Sequence, residues 1–165
     1  MNSSGKCDYN VGTVTRTYWN GDDYELLPSS VDGYVWNDST GIEWSVNGSL
    51  TPATGDYLTV DGSFGKAVYD NYVDVGWSVG TCFTETLENG SSHLVCNGFE
   101  VEKTTPNCKS GDSGGPILQR ESDGYHIYAS GMIQAGTSGG GWYFCLGQAF
   151  YAIQSEANLK LILGP

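Results

Sequence analysis

Gly111-Asp112-Ser113-Gly114-Gly115-Pro116 is the stretch on which the reading of this chain turns. A serine set among glycines sits on backbone that a residue with a Cβ rarely adopts, because glycine enters the left-handed region without steric cost. Gly111 also leaves its own N–H uncrowded. The N–H groups of Gly111 and Ser113 can then converge on one point, where a substrate carbonyl oxygen gathers negative charge during acyl transfer. Each donor of this kind removes about 2.7–4 kcal/mol of barrier in comparable sites. A glycine-flanked serine alone is weak evidence in a chain with 24 glycines among 165 residues. Asp112, Gly115 and Pro116 make the string specific.

Two readings of the loop compete. The nucleophile elbow of the α/β-hydrolases joins a strand to a helix, with the acid and then the histidine later in the chain. Gly114, Gly115 and Pro116 spoil such a helix start, and Ile117-Leu118-Gln119 reads as strand. Asp123 and His126 do follow, but only three residues apart, whereas such triad members come from separate loops. That reading fails. The six residues instead resemble the nucleophile loop of the chymotrypsin-like serine proteases, closest to the secreted bacterial members.

The resemblance implies an all-β fold, a chymotrypsin-like double β-barrel with the first barrel incomplete and a short C-terminal helix. It implies residues 1–42 as the remainder of the first barrel and residues 43–165 as the second, carrying the loop. It also implies a serine endopeptidase acting on a polypeptide substrate through an acyl-enzyme on Ser113. The Gly111 and Ser113 N–H groups would be the oxyanion hole, and Asp112 would hold the loop through a buried ion pair.

The run of residues independently favours all-β. Val11–Trp19, Gly33–Trp36, Ile42–Val46, Tyr57–Val60 and Lys66–Trp77 are β-branched or aromatic stretches bounded by Gly, Asn, Asp or Pro. Thr81–Leu87 and Ser92–Val101 pair through Glu88-Asn89-Gly90-Ser91, whose Asn-Gly is a hairpin signal. Many short strands at close spacing indicate a barrel or sandwich. Gln148–Asn158 is the one helix candidate.

A serine nucleophile needs an adjacent base held by a third group. The resemblance supplies the order histidine, aspartate, serine. Asp23-Tyr24-Glu25-Leu26-Leu27 looks like the family's Asp-x-Ala-x-Leu type of segment, making Asp23 the orienting acid, with Asp22 an alternative; Glu25 departs from the small residue usual there. No histidine precedes Asp23. The two present, His93 and His126, fall where the family has no catalytic base. The expectation is a chain that has lost sequence ahead of Met1, including the base; the rival is a natural protein without one.

Substrate recognition is implied at Gly131–Gly136, which resembles the strand that pairs with the substrate backbone. Gln134, Ala135 and Gly136 are its candidate binding residues, Gln134 standing where a serine is common. The pocket floor is expected around Thr105, Pro106 and Asn107. No acid occurs there, which argues against a preference for Lys or Arg.

Cys82 and Cys96 bracket the hairpin and are the first expected disulfide. Cys108 with Cys145 is the second, as proteases of the resembled family often carry a bridge from this position. Cys7 is left over, which suggests a free thiol or a partner outside the chain. No C-x-x-C spacing occurs, so neither a metal nor a cofactor is expected. Seven basic against 19 acidic residues give a formal charge of −12, which argues against a nucleic-acid partner. No apolar run approaches the roughly 20 residues that span a bilayer. Cysteines and Asn-x-Ser sequons at Asn2, Asn37, Asn47 and Asn89 favour a secreted protein, although no signal peptide is visible. Two rival functions remain. A non-catalytic binding module would use the five Trp and eleven Tyr as its surface. A glycosidase needs two carboxylates at a set separation, which 19 acids meet by accident.

Overall fold

The computed structural model describes residues 16–18, 24–26, 33–37, 40–62, 65–74, 79–86 and 90–165, with the side chains of 16–18, 24–26, 37, 93 and 156 outside the description. Strands occur in each expected β-branched run, with positions 11–15, 19 and 75–77 of those runs outside the described residues. β1 (Arg16–Tyr18) and β2 (Tyr24–Leu26) form a two-stranded antiparallel sheet. Nine more make a single sheet: β3 (Tyr34–Asn37), β4 (Ile42–Ser49), β5 (Tyr57–Gly62), β6 (Lys66–Val73), β7 (Thr81–Thr86), β8 (Ser92–Lys103), β9 (Pro116–Arg120), β10 (His126–Gly139) and β11 (Trp142–Ala149). One helix, α1 (Phe150–Ala157), follows.

Six strands close on themselves in the order β5, β6, β8, β11, β10, β9 and back to β5, every neighbouring pair antiparallel. Closure removes the unpaired edges that an open sheet exposes. Alternation along each strand then sends one set of side chains inward. Leu58, Val60, Val73, Phe99, Val101, Ile117, Ile133, Cys145 and Ala149 fill the interior. Phe99 is the largest of these, and its ring lies where a Cβ at Gly131 or Gly147 would stand, 2.7 and 2.9 Å away. Truncating a buried phenylalanine costs about 3–5 kcal/mol. The barrel is therefore built round one ring and the glycines that admit it.

The remaining strands hang on this ring. β7 pairs with β8 as the expected hairpin, from Thr86↔Ser92 to Thr81↔Gly98, and Cys82 is disulfide-bonded to Cys96 across it. β4 runs parallel to β10 and pairs with β3. Beneath it Trp44, Val46, Ala67, Leu118 and Ile127 make a second apolar core. The Arg120 guanidinium caps that core, 4.7 Å from the Tyr69 ring centre and 5.7 Å from that of Trp44. The chain end returns to the same place, with the Gly164 N–H donating to Val46 O at 2.9 Å and the Ser45 hydroxyl donating to Pro165 O at 3.0 Å.

The helix starts two residues later than expected. Gln148 and Ala149 stay in β11, paired with Met132 and Gly131. It ends at Asn158, whose φ of 53° puts it in the left-handed region that asparagine tolerates at helix ends. Ile153 packs the helix onto Met132 and Leu159. Among the described residues no helix is long and apolar enough to cross a membrane.

Candidate active site

The stretch from Gly111 to Pro116 joins the barrel interior to its rim. Asp112 anchors it. Its side chain is 1 % exposed, and its carboxylate accepts the N–H of Gly65 at 2.9 Å and that of Lys109 at 2.8 Å. These two partners are backbone donors. A buried carboxylate is stable only when so satisfied. Room for it comes from glycine: a Cβ at Gly62 would lie 2.2 Å from Asp112 Cγ, and one at Gly65 would lie 2.5 Å from Oδ2.

The loop next docks on β10. The Gly114 N–H donates to Ile133 O and the Ile133 N–H donates to Gly115 O, both at 2.8 Å. β10 is irregular at this point. Ile133 pairs with Gly147 and Ala135 with Leu146, so Gln134 is an extra residue in its strand. A bulge of this kind re-aims backbone groups. The Ser113 hydroxyl donates to the Gln134 carbonyl at 2.9 Å. The Gln134 side chain points the other way, into the barrel, where its Nε2 donates to Gln148 Oε1 at 3.2 Å. Gln148 in turn donates to Cys96 O at 3.2 Å. Buried amides thus tie the serine loop's docking strand to the disulfide hairpin.

Gly111 has φ 94°, a conformation in which a Cβ would be strained. Neither its N–H nor that of Ser113 donates to another described residue. Both Gly111 and Ser113 are exposed, and both line a cavity of about 510 Å³. Ala135 and Gly136, expected in substrate binding, line it too, as do Pro106, Lys109 and Tyr143. Asn107, expected near the floor, is buried instead, donating to Val101 O and Tyr143 O at 3.2 and 3.3 Å. Lys109 is the one charged side chain among the described lining residues, which include no acid.

Of the sequence candidates for the rest of a triad, His126 alone has a described side chain. Asp23 and Cys7 lie outside the described residues, as does the His93 side chain. His126 begins β10, eight residues before Gln134, or roughly 26 Å along a strand rising about 3.3 Å per residue. It pairs locally with Asp123 through Nδ1. That contact and the N–H groups of Tyr125 and His126 lower the Asp123 carboxyl to about 2, while Asp123 raises His126. Glu121, Asp123 and His126 keep donor atoms within 4.8 Å of one another, a metal-type grouping at the turn before β10 and remote from Ser113.

The Cys108–Cys145 bridge expected from the resemblance is not formed: both are free thiols. They are neighbours all the same. A hydrogen bond with the Cys108 thiol, and burial after it, push the Cys145 thiol well above its ordinary value. Cys108 Sγ sits over Gly136, 2.6 Å from where a Cβ would be, beside the carbonyls of Ala135 and Phe144.

Several residues that shape the site were not singled out from sequence. Gly62 and Gly65 carry no signal in a glycine-rich chain. Gln148 had one: it is a lone amide in the otherwise apolar Phe144–Phe150 stretch.

No family model and no curated protein matches this sequence. Solved structures do. A serine protease specific for glutamic acid, reported to use a histidine triad in substrate binding, is 21% identical with a TM-score of 0.67, covering 90% of this chain and 72% of its own. Thermobifida fusca protease A is 24% identical with a TM-score of 0.69, covering 93% and 75%. Cellulomonas bogoriensis chymotrypsin is 20% identical with a TM-score of 0.69, covering 92% and 75%. Likeness at these identities speaks for architecture and not for activity. The fold of this chain is that of the bacterial chymotrypsin-like serine proteases.

Proposed function

We propose that this chain carries the acyl-transfer site of a serine endopeptidase, with Ser113 as nucleophile and the Gly111 and Ser113 N–H groups as oxyanion hole. The observation that carries the reading is the pair of amides without a described partner, beside an exposed serine, at the mouth of a 510 Å³ cavity. Ser113 Oγ attacks the peptide carbonyl carbon and gives its proton to a base. The carbonyl oxygen becomes an oxyanion held by the two N–H groups. Collapse breaks the C–N bond, the amine leaves with the proton, and water hydrolyses the resulting ester.

The base comes from outside the described residues, since His126 is at the far end of β10. Among the described residues the Ser113 hydroxyl donates to the Gln134 carbonyl, which is too weak a base to activate it. Asp23 is the proposed orienting acid for that base. Ala135 and Gly136 would present the substrate backbone, with Gln134 contributing its carbonyl. Without an acid in the cavity, a substrate side chain that is neutral or negative is favoured over lysine or arginine. Secretion fits this reading, the Cys82–Cys96 bridge being a bond that persists in oxidising compartments.

The second reading, a peptide-binding module on the same scaffold, is favoured by the Ser113–Gln134 hydrogen bond, which occupies the hydroxyl. Labelling with a fluorophosphonate, read by intact mass with Ser113→Ala as control, separates the two. One adduct that disappears in the control supports an activated serine. No adduct on the folded chain supports the binding module.

A further inference from the structure

We propose that the outer face of the barrel carries a second binding site, which takes the cationic side chain of a peptide lysine or arginine between Tyr57, Tyr72 and Trp142 and the carboxylates of Asp70 and Glu102. The site is independent of any chemistry at Ser113. These side chains line a cavity of about 450 Å³, well within the range of ligand sites.

Strand register places the groups together. Val73 and Val101 are fully buried in the barrel, so their neighbours Tyr72 and Glu102 point outward. Tyr57 pairs with Tyr72, Tyr72 with Glu102, and Glu102 with Phe144, which makes one row across four strands. Trp142, two residues before Phe144, belongs to the same face. The Tyr57 and Tyr72 rings meet edge to face, 5.6 Å between centres at 61°. Tyr57 and Trp142 remain 62% and 42% exposed, which leaves both rings open to a ligand.

Charge decides which ligand suits this corner. Aromatic faces attract cations through the ring quadrupole, and carboxylates beside them add direct attraction. Asp74 and Glu100 adjoin the lining acids. Burial and the nearby Asp74 charge already raise both Glu102 and Glu100, the latter to about 7. Negative charge is therefore crowded here. Lys103 is the one basic side chain among the described residues lining the groove, and its Nζ is turned to the Tyr69 carbonyl. A neutral saccharide would use the aromatic rings but would leave the carboxylates crowded; a cation uses both. Tyr143 lines the Ser113 cavity while its neighbour Trp142 lines this groove, so the two sites occupy opposite faces of one strand end.

The test is a titration of 15N-labelled Ser113→Ala protein at pH 8, with the Trp142 indole assigned through Trp142→Phe. The ligands are an N-acetyl arginine amide, its uncharged citrulline counterpart and a neutral disaccharide. The arginine compound is expected to shift the Trp142 indole saturably, and citrulline to bind at least about 3-fold more weakly. Glu102→Gln and Tyr57→Ala are each expected to weaken arginine binding by about 3–10-fold, in line with cation–π contributions at exposed sites. Equal shifts from arginine and citrulline, a stronger shift from the disaccharide, or no shift at Trp142 would each overturn the proposal. Because Ser113 is absent from the tested protein, failure here leaves the endopeptidase reading untouched, and the reverse holds too.

Discussion

Replacing Glu100 by glutamine should make the protein more stable at pH 8 while changing little at pH 5. Glu100 is only 7% exposed on β8, and burial, then the charges of Asp74 and Glu102, raise its carboxyl from 4.5 to about 7. Between those two values the folded protein holds a proton that the unfolded chain has released. The folded state therefore binds more protons, and stability falls as pH rises through the window. A shift of this size corresponds to about 3 kcal/mol at full value. Solvent at the barrel's outer face screens part of it, which leaves an expected effect on the order of 1–3 kcal/mol. Urea unfolding of both proteins at pH 5 and pH 8 reads the effect as a change in midpoint at constant slope. The wild type should lose that much more than Glu100→Gln between the two pH values, other carboxylates cancelling in the comparison. Parallel pH dependence in the two proteins would refute the reasoning, and so would a larger loss in the variant.

Further outcomes follow from the packing of the loop and the hairpin. Gly62→Ala would place a Cβ 2.2 Å from Asp112 Cγ; it should cost about 1–3 kcal/mol and abolish fluorophosphonate labelling, whereas Gly139→Ala, with nothing within 4 Å, should be neutral on urea unfolding and labelling. Cys82→Ser with Cys96→Ser opens a 14-residue link and should lower unfolding free energy by about 3 kcal/mol on the chain-entropy account, measured by denaturant titration under matched oxidising conditions.

Local chemistry made part of this fold legible. The Asn-Gly at 89–90 signalled a hairpin, β7 and β8 do pair, and the cysteines that bracket the link are bonded as expected. The loop at 111–116 announces itself because its glycines and proline serve a backbone shape. Closure of the barrel was not legible. It depends on β9 meeting β5 and on β11 meeting β8, pairings between residues at least 40 positions apart that no local pattern specifies. The bulge at Gln134 was hidden for a related reason. A glutamine in a strand looks solvent-facing until its partner amide, Gln148, is known to face it. Cys108 and Cys145 were expected together and are neighbours, but the sulfurs remain thiols. Asp23 rests on the resemblance alone.

The central claim is that the Gly111 and Ser113 amides receive a tetrahedral oxyanion formed on Ser113. A peptidyl boronic acid with a neutral side chain tests it without needing turnover, because at a pH below that of hydroxide addition the bound boron becomes tetrahedral when the serine oxygen adds to it. Boron NMR of the complex should move from the trigonal to the tetrahedral range, and Ser113→Ala should return it to trigonal. A boronate that binds in the cavity but stays trigonal, or one that turns tetrahedral equally well in Ser113→Ala, would contradict the account.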